Sequence, residues 1–179
     1  MPSDKDRLHI ALYARSDRPK MPNLEDTYHW ALIVGPKKES EGGQGVRYHA
    51  KEQISASTQI QWLFEEREIG LHATHMLLVR ITIAKIANRD RLADILRNVP
   101  IRQGTPGWNC VGWVKEALER LKNDSEALGT NVIDWEKVRH TAMEYCQQKK
   151  DGNRFNGQGN FDPTKPPTYD LMVKKETIP

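Results

Sequence analysis

The sequence lacks several features that would assign it directly to a class of proteins. Its 179 residues include only two cysteines, Cys110 and Cys146, which are too few for a disulfide framework. No apolar run approaches the roughly 20 residues that cross a bilayer, so we expect no membrane span. Aromatic residues make up 7% of the chain, and no basic run is interleaved with them, so nucleic acid is not an expected partner.

Charge of one sign is not in excess either. Lysine and arginine number 27 against 24 aspartates and glutamates, and the net charge of +3 is too small to indicate a polyanionic partner. Met1 to Asp6 is polar, and no signal peptide is visible there. With 37% hydrophobic and 28% charged residues, we expect one globular domain in a reducing, cytoplasmic setting.

The sequence does contain a series of strand patterns followed by a series of helix patterns. Short apolar or alternating runs predict strands at Leu8–Ala14, Thr27–Gly35, Val46–Lys51, Gln59–Glu66 and Met76–Ile83. Apolar residues at helical spacing predict helices after Asn88, from Cys110 to about Lys122, and after Asp134.

This order of elements predicts an α+β fold with a mainly antiparallel sheet packed by the Cys110 helix, over residues 1–150. Residues 151–179 are rich in Gly, Asn, Pro and Lys without periodicity, which predicts an irregular tail that packs on or near the domain. The glycine-rich stretch Pro36 to Gly45 is a predicted hairpin loop. It lacks the spacing and the trailing Lys-Ser/Thr of a phosphate-binding loop.

Cys110 lies at the predicted start of a helix. Pro106-Gly107 marks a turn, Asn109 is a good N-cap, and the apolar spacing places Cys110 on the inward face of the first turn. Unpaired N–H groups and the helix dipole favour an anion there, so we expect this thiol to have a lowered pKa and to be reactive. The alternative is a packed cysteine that behaves as a small hydrophobe, which is also our interpretation of Cys146.

Two histidines share one face of the predicted sheet. If the hairpin loop is centred near residues 39 to 40, His29 lies opposite or diagonal to His49, and an even separation points both side chains to one side. A nucleophilic cysteine needs a base and a group that orients the base, and Cys110, His29 and His49 together supply all three parts. The alternatives are two core histidines bonded to backbone carbonyls, or a zinc site made of the same three residues.

These motifs resemble a known superfamily. The strand His29-Trp30-Ala31-Leu32-Ile33-Val34-Gly35, the return strand Tyr48-His49-Ala50 and the helix start Asn109-Cys110 resemble the permuted papain-like enzymes. These include the lecithin:retinol acyltransferases, the related Ras-suppressor phospholipases and the NlpC-type peptidases. In the permuted branch the histidine-bearing strands precede the cysteine-bearing helix, as they do here. The likeness covers residues 8 to 122 in order and spacing.

The resemblance implies a permuted papain-like fold and a cysteine hydrolase or acyltransferase. His29 would be the general base, His49 the orienting residue and Cys110 the nucleophile, whose backbone N–H would form part of the oxyanion hole. The substrate would be a small-molecule or peptide amide, ester or thioester, with an acyl-Cys intermediate. The resemblance implies neither cofactor nor metal. The acyl acceptor, hydrolysis versus transfer, and the oligomeric state stay open.

The sequence also departs from that superfamily. Val111-Gly112-Trp113 follows Cys110 where acyltransferase members usually carry Glu-His-Phe, and their hydrophobic C-terminal anchor is missing. Gln103 is the only nearby candidate for an oxyanion side chain. The two departures argue against a lipid substrate. The Val-Gly-Trp sequence and the absence of an obvious oxyanion side chain also favour the alternative function, a catalytically inactive papain-like interaction or binding domain. A sulfur sealed beneath Trp108 or Trp113 would favour that alternative, whereas an open pocket reaching the sulfur would favour the enzyme.

Overall fold

One sheet and three helices make up the computed structural model, which describes residues 4–179. Residues 1–3, at the polar start where we expected no signal peptide, lie outside the described residues. The strands are β1 Arg7–Ala14, β2 Tyr28–Gly35, β3 Gln44–Ile54, β4 Ile60–Gly70, β5 Leu77–Ile86, β6 Leu128–Asn131, β7 Thr168–Asp170 and β8 Lys175–Ile178. The helices are α1 Arg89–Arg97, α2 Cys110–Lys122 and α3 Trp135–Asp151, with a short 3₁₀ turn at Glu25–Thr27.

The strand order across the sheet is β4-β3-β2-β1-β5-β7-β8, and β6 pairs with β5 away from this path. The pairs are antiparallel except for the parallel pair of β5 and β7. Neighbouring strands from β1 to β4 follow one another in sequence and are joined by the loops at residues 15–27, 36–43 and 55–59. The predicted α+β class with a mainly antiparallel sheet is confirmed.

The two faces of the sheet have different coverings. Alternate residues of β1 and β2, including Leu8, Ile10 and Trp30, pack with the three helices in the main core. We call this side the helix face. The residues between them, including Ala11 and Ile33, form a smaller cluster on the other side, which we call the reverse face. Successive residues of a strand therefore alternate between the helix face and the reverse face.

The helices start where their capping residues predict. Asn88 accepts a hydrogen bond from the Arg91 N–H at 3.0 Å, and the Asp134 carboxylate accepts one from the Lys137 N–H at 3.2 Å. At α2 the Asn109 side chain accepts from the N–H of the second helical residue at 2.9 Å. These bonds satisfy backbone donors that the first turn leaves unpaired. The predicted start of α2 at Cys110 is confirmed.

The C-terminal segment contains more regular structure than its sequence predicts. Within residues 151–179, β7 lies parallel to β5 with Arg80 opposite Thr168, and β8 pairs with β7. Strands of three and four residues are too short to show alternation, so tertiary pairing rather than local pattern places them. No helix of residues 4–179 has the length and apolar character needed to cross a membrane.

Candidate functional site

The β2–β3 hairpin brings the two predicted histidines together. Leu32 pairs with Tyr48, so the hairpin is centred on residue 40, and His29 lies diagonal to His49. The His29 ring lies 6.1 Å from the ring of Tyr13, a reverse-face residue. The two strands pair only from Leu32 to residue 34 and separate beyond Leu32. Both imidazoles therefore stand on the reverse face, where the hairpin opens.

The two imidazoles form a hydrogen-bonded chain that ends on a carboxylate. His29 Nε2 lies 2.6 Å from His49 Nδ1, and His49 Nε2 lies 3.0 Å from Glu65 Oε1. Because a carboxylate only accepts, His49 Nε2 carries the proton and its Nδ1 accepts from His29 Nε2–H. This chain leaves the lone pair of His29 on Nδ1. The arrangement fixes both tautomers and makes His29 Nδ1 the basic atom of the chain.

Glu65 is a site residue that our sequence analysis missed. It also accepts from Lys51 Nζ at 2.6 Å and from Arg47 at 3.2 Å. Residues 65–68 are all charged, which is typical of a solvated strand end. The pairing of β3 with β4 nevertheless places Glu65 directly opposite His49. The turn centred on residue 57 was the available signal, because residues 49 and 65 are equally distant from it.

Burial and the surrounding charges keep both imidazoles neutral. Burial, together with the positive charges of Arg15 and Arg47, lowers the pKa of His29 to about 3. Burial also lowers the pKa of His49, against an opposing hydrogen bond to Glu65. Burial alone would raise the pKa of Glu65, but hydrogen bonds from Lys51, His49 and Arg47 lower it to about 2. At neutral pH the chain is a carboxylate followed by two uncharged rings.

Cys110 belongs to the other side of the sheet. It is the first residue of α2, its residue exposure is 0%, and it is part of the helix-face core. Burial raises the pKa of its thiol, while the backbone N–H groups of Trp30 and Val111 and the charge of Arg15 oppose that rise. The predicted lowering of this pKa at the helix start is wrong, because desolvation outweighs the favourable donors.

The structure joins the histidines to each other, but it does not bond either of them to the thiol. Among residues 4–179, no hydrogen bond links Cys110 Sγ with His29 or His49. The link is the Trp30 N–H, which belongs to the residue directly after His29 and interacts with the Cys110 sulfur.

Tryptophans close the helix start. A Cβ atom on Gly112 would lie 3.0 Å from Trp108 Cδ1, so glycine lets the Trp108 ring lie on the first turn of α2. The Trp108 ring also makes an edge contact with Trp62 at 5.8 Å, and Trp113 is fully buried. This packing gives a physical reason for the Val-Gly-Trp sequence after the cysteine. Cys110 itself is closed to solvent.

Arg15 is a second residue that our sequence analysis missed. Its Nη2 donates to Glu52 Oε1 at 2.6 Å, its side chain is 17% exposed, and its Nη1 is buried without a hydrogen-bond partner. Its charge acts on both the Cys110 thiol and His29. Arg15 also lines an open groove of about 340 Å³ together with Tyr28. Arg15 lies in a polar loop after β1, and nothing in the local sequence indicated that it acts on Cys110 or His29.

The remaining candidates lie elsewhere. Gln103 accepts from Trp62 N–H at 2.7 Å and donates to Ile60 at 3.4 Å, so its amide completes the edge of β4. Cys146 is buried on α3, and burial raises the pKa of its thiol while the Tyr28 hydroxyl bonds to it. The predicted packing of Cys146 on a helix stripe is confirmed.

The zinc alternative has little geometric support. His29 Nε2 and His49 Nδ1 are hydrogen-bonded to each other, so these two nitrogens are not both free to bind one metal ion. Among residues 4–179, no group of three or more His, Cys, Asp or Glu side chains is arranged to hold a metal.

Comparison with known proteins gives a family without an activity. A family profile matches residues 5–178, and its description is "Family of unknown function (DUF6914)". No curated protein and no solved structure matches the chain. The chemistry of the site must therefore be derived from its own residues.

Proposed function

This chain belongs to the DUF6914 family of unknown function, and we propose that it is a thiol-dependent hydrolase or acyltransferase. It acts on an amide, ester or thioester through an acyl-Cys110 intermediate. The single observation that carries this proposal is the His29–His49–Glu65 chain, with bonds of 2.6 and 3.0 Å. Its free end is one residue away from the backbone N–H that interacts with the Cys110 sulfur. The chain supplies a base and an orienting group on the reverse face, and the thiol of the helix face interacts with the backbone of the residue next to His29.

In the proposed mechanism His29 Nδ1 removes the proton from Cys110 Sγ as the sulfur attacks the carbonyl carbon. The carbonyl electron pair moves onto oxygen. When the tetrahedral intermediate collapses, the bond to the leaving group breaks and the leaving group takes the proton from His29. Water or another nucleophile then attacks the thioester and gives its proton to His29. The proton returns to the sulfur as the acyl product departs.

Two donors are suited to the negative charge that develops on the carbonyl oxygen. Cys110 N–H lies at the start of α2, where backbone donors and the helix dipole favour an anion. The Arg15 Nη1 group is buried without a partner and acts electrostatically on the thiol. We assign to Arg15 the role of oxyanion side chain, for which Gln103 was the candidate in the sequence. The groove lined by Arg15 is the proposed approach for the acyl substrate.

We also propose that the fold is a permuted papain-like one. The histidine-bearing strands β2 and β3 precede the cysteine-bearing helix, and α2 packs against both of them. The pairing of His29 Nε2 with His49 Nδ1 leaves His29 Nδ1 for the thiol, which is the arrangement that the proposed mechanism requires. Proton transfer requires the sulfur to leave its position at the Trp30 N–H and to reach His29 Nδ1. The separation of β2 and β3 beyond Leu32 supports such an opening.

A second function is favoured by one specific observation, the complete burial of Cys110. In that function the protein is a catalytically inactive binding domain in which the cysteine packs as a small hydrophobe. The two functions differ in whether the sulfur is ever reached by a carbonyl compound. The enzyme requires an opening that exposes the Cys110 sulfur, whereas the binding domain does not.

The test is to trap the acyl intermediate. The purified protein is incubated with a panel of activated acyl esters, amides and thioesters, and intact-mass spectrometry followed by peptide mapping locates any acyl group. We expect one acyl group on Cys110. Cys110→Ser should remove it, and Cys146→Ser, which changes a second buried cysteine, should retain it. Acylation of Cys146 alone, or of neither cysteine with the protein folded, would contradict the enzyme and favour the binding domain.

Removal of the Glu65 carboxylate is expected to slow Cys110 acylation by about 10- to 100-fold, by analogy with the loss of a carboxylate that orients a metal-bound histidine. In Glu65→Ala, His49 has no acceptor for Nε2–H, so its tautomer and the position of the His29 proton are no longer fixed. Glu65→Gln keeps one acceptor oxygen and should recover most of the rate. The measurement is the acylation rate, with far-UV circular dichroism as the check of folding. Equal rates for Glu65→Ala and wild type would show that the chain does not orient His29.

A further inference from the structure

A large cavity lies on the reverse face, apart from the Cys110 site. Its volume is about 1140 Å³, somewhat above the usual size of small-molecule sites. The floor comes from β1 and β5, one wall from the β2–β3 loop at residues 36–43, and the other wall from the C-terminal segment between residues 162 and 178. The proposed mechanism uses none of these residues.

His9 on the cavity floor has an unpaired ring nitrogen. The residue is 4% exposed, and its Nδ1 lies 2.9 Å from Thr82 Oγ1. Its Nε2 is buried and has no hydrogen-bond partner in the protein. Buried polar atoms without partners are rare in folded proteins, and one that lines a cavity indicates a site for an external partner.

Two arginines flank this histidine and determine the sign of the partner's charge. Arg7 and Arg80 both line the cavity, and burial together with their positive charges lowers the pKa of His9 well below its usual range. When Thr82 donates to Nδ1 of the neutral ring, Nε2 carries the proton and is a donor without a partner in a residue that lines the cavity. A donor between two cations is suited to an anionic acceptor, and a cation there would be repelled.

Three of the four acidic residues that line the cavity have partners within the protein, and the fourth, Glu41, lies in the 36–43 loop. Both oxygens of Glu39 accept from Arg80, at 2.6 and 3.1 Å. Asp162 Oδ1 accepts from the Thr164 backbone and hydroxyl, and Asp170 Oδ1 accepts from a backbone N–H at 2.9 Å. The lysines at positions 37 and 165 add positive charge to the cavity lining. The group left without a partner at His9 is the Nε2–H donor, which can bond to an accepting group on a ligand.

We propose that this cavity binds a small organic anion, whose phosphate or carboxylate oxygens accept from His9 Nε2–H between Arg7 and Arg80. The 36–43 loop, tied to the floor by the ion pair of Glu39 with Arg80, encloses the rest of the molecule. The site is independent of the proposed thiol chemistry, because it lies on other strands and shares no residue with it.

The test compares three ligands with the same carbon skeleton: glycerol phosphate, glycerate and uncharged glycerol. Each is titrated into the wild-type protein while the histidine Cε1–Hε1 resonances are followed by NMR. We expect a saturable shift of the His9 resonance with one or both anions. The resonance of His140, an exposed histidine on α3, should not move. A response to glycerol phosphate alone, glycerate alone, or both identifies which anionic group the site takes.

A variant provides the second measurement. His9→Phe keeps an aromatic ring but has no donor, and we expect at least a tenfold weaker affinity by calorimetry for the anion that shifts His9. His140→Phe is the matched control and should bind like the wild type. The proposal is overturned if none of the ligands shifts His9 in the folded protein, if glycerol shifts it as strongly as the anions, or if folded His9→Phe binds with unchanged affinity.

Discussion

In His29→Ala, acylation of Cys110 should fall by about two to four orders of magnitude, the usual contribution of a general base. Burial raises the pKa of the Cys110 thiol, so at neutral pH the sulfur is protonated and requires a base during attack. The Glu65–His49 chain directs the lone pair of His29 away from itself and so leaves it available for that proton. The measurement is the rate of Cys110 acylation by the best donor of the panel, followed by intact-mass spectrometry.

The pH dependence of this rate tests whether the base has the lowered pKa of His29. Because the pKa of His29 is lowered to about 3, the base stays neutral in mild acid, and the wild-type rate should not fall between about pH 7 and pH 5. A histidine with the ordinary value near 6.5 would lose most of its basic form over that range. His140→Ala, which changes an exposed histidine, should keep the wild-type rate and profile. Equal rates for His29→Ala and wild type would exclude His29 as the base.

The histidine pair could be predicted from sequence because hairpin geometry is a local property. The loop between the second and third strands has a definite centre, and the parity of side chains follows from it, so His29 and His49 fall on one face. The same reasoning on the β3–β4 turn would have reached Glu65, opposite His49. It was missed because a run of charged residues ordinarily indicates a solvated strand end.

The environment of the Cys110 thiol could not be predicted from local sequence patterns. Helical periodicity places the cysteine on the inward face of α2, and this is confirmed by its place in the main core. Periodicity does not tell where along the sheet a helix docks, or which tertiary packing desolvates its first turn. The direction of the thiol pKa therefore depended on the burial of the first turn of α2, which is a long-range property. Arg15 and β7 were missed for the same reason, since their roles arise only from tertiary contacts.

The free energy of unfolding should fall steeply when the pH is lowered from about 6.5 towards 3. Burial lowers the pKa values of His9, His29 and His49 below 6.5, the ordinary value of an unfolded histidine. Between the unfolded and folded values, the unfolded chain binds a proton that the native protein does not, so acid favours unfolding. Each such proton contributes about 1.4 kcal/mol per pH unit. The lowered pKa of Glu65, at about 2, acts in the same direction at lower pH.

Chemical denaturation at a series of pH values between about 7.5 and 4, on the order of one measurement per half unit, tests this slope. The double variant His29→Gln with His49→Gln removes two of the three buried imidazoles, so its stability should depend less steeply on pH, whatever its stability at neutral pH. His140→Gln should retain the wild-type slope because this histidine is exposed beside Glu144. A wild-type stability that stays constant from about pH 7 to 5 would show that these imidazoles are protonated in the native protein. That result would also remove the neutral base on which the proposed chemistry of Cys110 depends.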